Sequence, residues 1–435
     1  MMATQLPIVR VPLGRPLQVV PVGQQRRFRP VLFWILMVYF VLEYARPPYI
    51  VNLRLQGASL VLLLTMWAFL PARPWSRNLT LQLSFLVLCA ISVLFAKNYF
   101  SAYIATRIVL GNLIIAIAIT WLMATRRNFV TGIWIWIAIV SYQAIYAIGH
   151  QGVGTGGFLG DDNDLALGCA TAFPFALTGF LRFRGWRRWG SGAVATLLTV
   201  AIVVSNSRGG FVGWVGAALF CVLANRNRVR NLAIAALCGA VFYLSVPSSY
   251  KEEMSTIDET TSGTAEGRLF LWVAAWEMWL DHPLLGVGAA NFKWHAGQYQ
   301  PSGESEGLFS SGQYRERDWT GTQTHSLYFE ALSETGILGC LALGAIIAGH
   351  FSGLRRLSRR VGMHQGLSPE LRNDAGAYAV ALSGAMVGYL AAGAFLSVTY
   401  YPYPWYLSAM AVAWERVVDM ELAGSKLPEA VVVVS

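Results

Sequence analysis

The chain has 435 residues, of which 55% are hydrophobic and 13% charged, with a mean hydropathy of +0.48 and a formal net charge of +10. Soluble domains carry about 25% charged residues, so this composition excludes a large soluble enzyme and points to an all-α integral membrane protein. The positive excess lies in loops on one side of the expected spans. It therefore reports topology and speaks against a nucleic-acid partner.

A helix crossing the hydrocarbon needs about 20 apolar residues. Taken in order, the apolar stretches predict twelve spans, at about Val31–Ala45, Leu55–Leu70, Leu79–Ala96, Ala102–Ala124, Phe129–Gly149 and Leu165–Leu181. The rest follow at Gly192–Ser205, Gly210–Ala224, Asn231–Val246, Ser326–Phe351, Ala375–Ser397 and Tyr403–Val418. With both ends inside, 23 of the 33 Lys and Arg fall on the inner side, nine fall outside, and Arg107 lies within a span. That is the bias expected of inner loops. Residues 1–30 then form an inner tail, 31–247 hold the first nine spans and 248–324 form one large outer loop. Residues 325–418 hold the last three spans, and 419–435 form a second inner tail. No small-residue cleavage site follows a short apolar core near the start, so the first tail reads as retained. All five cysteines fall in spans without a CxxC pair, which predicts neither a disulfide framework nor a zinc site. No internal repeat of the kind found in secondary transporters is visible.

The candidate functional residues gather on the predicted outer side. Arg107, near the outer end of the fourth span, is a candidate anion contact. GDDNDLALG, Gly160–Gly168, offers Asp161, Asp162 and Asp164 either to a cation or, as the favoured reading, to helix capping by Asp162, Asn163 or Asp164. The capping residues can also meet sugar hydroxyls. Arg208 stands in SNSRGG, between the seventh and eighth spans, where Gly209 and Gly210 would let a phosphate approach the backbone. In the long loop, Leu269, Trp272, Val273, Trp276 and Trp279 recur at helical spacing, predicting an amphipathic helix opened by Arg268 and ended before His282-Pro283. Gln298–Gly321 reads as a polar flap. His325 stands where this loop enters the tenth span, with Ser326 as the expected cap and Gly336 and Gly339 placed to let another helix pack closely. An ionisable group at such a boundary is costly and is a functional candidate by default. The arginines alone also fit a transporter holding a phosphorylated lipid, but the spans carry too few polar residues for a midplane path.

SRGG at Ser207–Gly210, the pair Gly267-Arg268 and H-S-x9-G-x-x-G from His325 to Gly339 resemble motifs of the O-antigen ligase family, within the O-antigen ligase/polymerase superfamily. The resemblance implies about twelve transmembrane helices with one large periplasmic loop, in a GT-C-like architecture in the bacterial inner membrane. It implies inverting glycosyl transfer without metal or cofactor, from an undecaprenyl-pyrophosphate-linked glycan to lipid A–core. By motif, His325 matches the catalytic base, and Arg208 and Arg268 match the pyrophosphate-binding arginines. A polysaccharide polymerase or a protein O-oligosaccharyltransferase would share the donor and differ in the acceptor.

Overall fold

The computed structural model describes residues 22–47, 75–224, 263–299, 318–364 and 368–424, with a few positions between 58 and 65. Apart from those few positions, the second expected span lies outside the described residues, as do the ninth and the centre of the polar flap. Within them the chain is helical. α1 (Val22–Phe40) runs into a π-helical turn, Val41–Ala45. It is followed by α2 (Arg77–Ser92), α3 (Tyr99–Leu122), α4 (Arg126–Ile148), α5 (Asp162–Arg182), α6 (Trp186–Val204) and α7 (Arg208–Leu223). Then come α8 (Gly263–Asp281), the single turn α9 (Phe292–His295), α10 (Leu327–Met363), α11 (Pro369–Gly393) and α12 (Tyr403–Gly424). Five of these, α3, α4, α5, α10 and α11, are long and apolar enough to cross a membrane, and α2 and α7 are shorter apolar helices. This is a multi-pass membrane protein.

Caps explain where several helices begin. Ser76, Asn98, Thr125, Ser207 and Ser368 each accept a backbone N–H from the first turn of the helix that follows, satisfying an amide with no partner inside the helix. α11 stops at Gly393, four residues before the expected end, because Ala394–Pro402 forms a turn-rich connector into α12.

α5, α7 and α11 pack through small residues, as helices do where lipid supplies no hydrophobic drive between them. A β-carbon on Gly210 would stand 2.2 Å from that of Ala166, and one on Gly213 would stand 2.7 Å from the Gly388 carbonyl oxygen. This trio places the starts of α5 and α7 side by side, where the Ser207 hydroxyl donates to Asn163 Oδ1 at 2.8 Å. At the opposite end, Arg126 pairs with Asp374 and Arg360 with Asp419. Among the described residues Cys89, Cys169, Cys221 and Cys340 are free thiols.

The loop helix α8 turns a different face inward from the one its tryptophans suggest. Phe270, Leu271, Ala275 and Met278 are buried with Val287, Phe292, Ala296 and Trp319 in a small separate core. Trp276 remains 47% exposed. The helix is apolar around most of its circumference, so spacing alone left the inward face undecided. α8 packs on α10 rather than standing free.

α10 is broken near its start. Gly336 has φ 61° and ψ −167°, a conformation essentially restricted to glycine. The segment after α8 fills the break: Ile337 N–H donates to Pro283 O and Leu338 N–H to Leu284 O. In return Val287 N–H donates to Ser333 O and Gly288 N–H to Glu334 O. Gly336 thus admits a turn of the chain after α8, where sequence reasoning expected a packed helix. Gly339 serves the same break, since the side chain of Thr335 folds into the space its β-carbon would take.

Candidate active site

The starts of α5, α7 and α10, the first turns of α8 and the α11–α12 connector meet at one end of the bundle. Arg208 is the first residue of α7, directly after its Ser207 cap. Asn206 before it takes φ 51°, closing the tight turn from α6. Gly209 and Gly210 are buried against α11 and α5, and Gly210 N–H is taken by the Ser207 hydroxyl at 3.1 Å. These glycines serve helix packing and do not open backbone to a phosphate.

Arg268 lies in the second turn of α8, which starts at Gly263, so its amide sits inside the helix and the expected helix-start donors are not at this residue. Its guanidinium is half-buried, and burial, followed by the nearby positive charge of Arg208, holds its pKa below the ordinary arginine value. One turn later, Trp272 Nε1–H donates to Thr324 O at 3.0 Å, and its ring stacks on Phe329. The arginine-bearing end of α8 is therefore fastened to the junction that carries the histidine.

His325 stands one residue before the α10 N-cap, with φ 50°. Ser326 occupies the cap position but makes no side-chain cap bond, because the local hydrogen bonds run instead through Thr324 and Ser397. The histidine is solvent-accessible, yet crowding by surrounding protein, then the charge of Arg268, lowers its pKa below the ordinary imidazole value. The carboxylate of Asp161 opposes that shift. Electrostatic interactions thus link His325 to Arg268 and to Asp161, and Arg268 in turn to Arg208.

The acidic turn is used structurally, one residue earlier than expected. Asp161 is the N-cap of α5, accepting from Asn163 N–H at 2.9 Å. Asp162 Oδ1 accepts from the backbone and side-chain nitrogens of Asn163, both at 2.8 Å, which turns Asn163 Oδ1 toward Ser207. Asp164 Oδ2 accepts from the Tyr401 hydroxyl at 3.0 Å. Arg107 is exposed on α3, a helix packed against α1, α2 and α12. No contact among the described residues joins it to the other two arginines.

Two carboxylates beside the site were missed. Glu334, only 3% exposed, accepts from Ala290 N–H at 2.8 Å, Phe292 N–H at 2.9 Å and the Tyr400 hydroxyl at 2.7 Å. Glu330 accepts from Thr399 N–H at 2.9 Å. Two glutamates within a predicted span were a readable signal, as was the aromatic–proline run Tyr400–Trp405. Both carboxylates lie in the first turns of α10 and bind loop backbone, so they do not mark a midplane path. Together with Ser397, they hold the connector across the start of α10, and Tyr401 ties it to the start of α5 through Asp164.

Residues 192–344, about a third of the chain, match the family model described as O-antigen ligase. No curated protein matches the chain. The ligase-family match runs from α6 into α10 and contains Arg208, Arg268, His325 and both motif glycines. The α5 aspartates and the α11–α12 connector, which complete the surroundings of these residues, lie outside it.

Proposed function

We propose that this chain is an O-antigen ligase, an inverting glycosyltransferase that moves a glycan from undecaprenyl pyrophosphate onto lipid A–core. The observation that carries this reading is the meeting of Arg208, Arg268 and His325, brought by three separate helices to one end of the bundle within the ligase-family match. His325 takes the proton of the acceptor hydroxyl while that oxygen attacks the anomeric carbon. The bond to the pyrophosphate oxygen breaks, and the leaving group keeps the electron pair. General-base assistance contributes roughly 10²–10⁴ in rate. A lowered pKa keeps the imidazole neutral and ready to accept a proton near pH 7, and Asp161 offsets the charge it then acquires.

Arg208 and Arg268 repel each other until an anion lies between them. A pyrophosphate fits this need, since guanidinium forks match phosphate oxygens. Two such cations offset much of the leaving group's charge, which supports a reaction without metal. Asp162, Asn163 and Asp164 act mainly by holding α5 to α7 and the connector, with sugar contact as a second role. Arg107 is assigned no part in this chemistry.

The reading retains twelve spans, residues 1–30 and 419–435 in the cytoplasm, residues 248–324 as a periplasmic loop, and a GT-C-like arrangement in the inner membrane. The cation-rich ends of α4, α5 and α10 lie opposite the site, in support of a periplasm-facing site reached laterally by both lipid-linked substrates. Purified protein in EDTA, given undecaprenyl-pyrophosphate glycan and rough lipopolysaccharide, should form the ligated product, and His325→Ala should not. Transfer onto a second lipid-linked glycan would instead assign a polymerase, and transfer onto a protein hydroxyl an oligosaccharyltransferase.

A further inference from the structure

We infer that Ser397, in the connector between α11 and α12, is a positioning residue that holds His325 in its working conformation. The inference rests on the reading of His325 as general base. His325 has φ 50°, a left-handed conformation that a residue with a β-carbon adopts only where its surroundings impose it. The contact that imposes it is a hydrogen bond: His325 N–H donates to Ser397 Oγ at 2.9 Å. The same hydroxyl lies 3.0 Å from Thr324 Oγ1, which in turn donates to Ser326 O at 3.1 Å. One hydroxyl thereby ties the backbone on both sides of the histidine.

Ser397 is itself a fixed point. Two residues on, Thr399 N–H donates to Glu330 Oε2 at 2.9 Å and its hydroxyl to Leu327 O at 3.3 Å. The Tyr400 hydroxyl donates to buried Glu334 at 2.7 Å. Ser326 gives α10 no side-chain cap, so the helix start does not fix the histidine. Among the described residues the imidazole has no hydrogen-bond partner, so its direction depends on the backbone that carries it. Releasing the His325 amide frees φ, and a change in φ swings the β-carbon and the ring away from Arg268 and Asp161.

The test compares Ser397→Ala, Ser397→Thr, Thr399→Val and His325→Ala by steady-state transfer, the pH dependence of kcat, and thermal unfolding in detergent. A misplacement of about 1 Å costs as much as roughly a hundredfold in rate. Ser397→Ala should therefore lose about ten- to a hundredfold in kcat, with donor KM unchanged and a flattened acid limb. Ser397→Thr keeps the hydroxyl and should restore most of the rate. Thr399→Val loosens the same connector without touching His325, and should lower the unfolding temperature while leaving the pH profile intact. An inactive His325→Ala beside a fully active Ser397→Ala removes the Ser397 assignment and leaves the base. Thr399→Val reproducing the loss of kcat and the flattened limb would reduce Ser397 to a connector anchor. An active His325→Ala overturns the base, and the Ser397 assignment with it.

Discussion

Replacing Gly336 with alanine adds one β-carbon at the break in α10, and that atom would stand 2.5 Å from Leu284 C and O and 2.7 Å from Gly286 N. These are backbone atoms, so no rotamer change relieves the overlap. The backbone at φ 61° and ψ −167° adds strain of about 1–3 kcal/mol for any residue with a β-carbon. Withdrawal of the 283–288 segment breaks four backbone hydrogen bonds, those of Ile337, Leu338, Val287 and Gly288. At a net of about 1 kcal/mol each, the total reaches about 5–7 kcal/mol, comparable with the whole stability of a marginal fold. Gly344→Ala, on the same helix with no atom within 4 Å of the added carbon, is the control and should be neutral or slightly stabilising. Thermal unfolding in detergent, followed by tryptophan fluorescence, should show a large fall for Gly336→Ala alone, with transfer activity lost. Wild-type unfolding temperature and activity in Gly336→Ala would refute the account of the break.

Transfer should fall on acidification with a midpoint below about 6.5, because crowding by surrounding protein and the charge of Arg268 favour neutral His325 and a base works only when unprotonated. Arg268→Gln should raise that midpoint and Asp161→Asn should lower it, both read from rate–pH profiles. Arg208→Lys and Arg268→Lys should weaken donor use, each by about 1.5–3 kcal/mol or roughly ten- to a hundredfold in donor KM. Arg208→Gln should lose donor use as well, yet unfold at a slightly higher temperature without donor, since one of two like charges is gone. In a cysteine-free background, Asp281→Cys should react with an impermeant thiol reagent applied from the periplasm, and Arg359→Cys should not; the reverse pattern would invert the topology.

Hydropathy is local, and what depends on it was legible in the sequence. The expected spans overlap α1 through its π-turn, α2 to α7, and α10 to α12, although α10 runs on to Met363, twelve residues past its expected end, and the loop helix ends at Asp281 as its His-Pro signal requires. The ninth span and most of the second lie outside the described residues. The motifs likewise singled out Arg208, Arg268 and His325, because an arginine or histidine at a polar–apolar boundary stands out against its neighbours. What tertiary structure decided involves contacts between residues far apart in the chain. Which face of α8 turns inward depends on Val287, Phe292 and Trp319, and no spacing within an almost wholly apolar helix encodes that choice. The motif glycines serve a chain break and not a helix crossing, because the 283–288 segment supplies the hydrogen bonds that α10 gives up. His325 takes its left-handed backbone from a serine 72 residues away, and Glu334 finds its donors in two loops. Buried polar groups must find partners wherever the fold brings them, so a sequence can flag such groups but only the packed bundle pairs them.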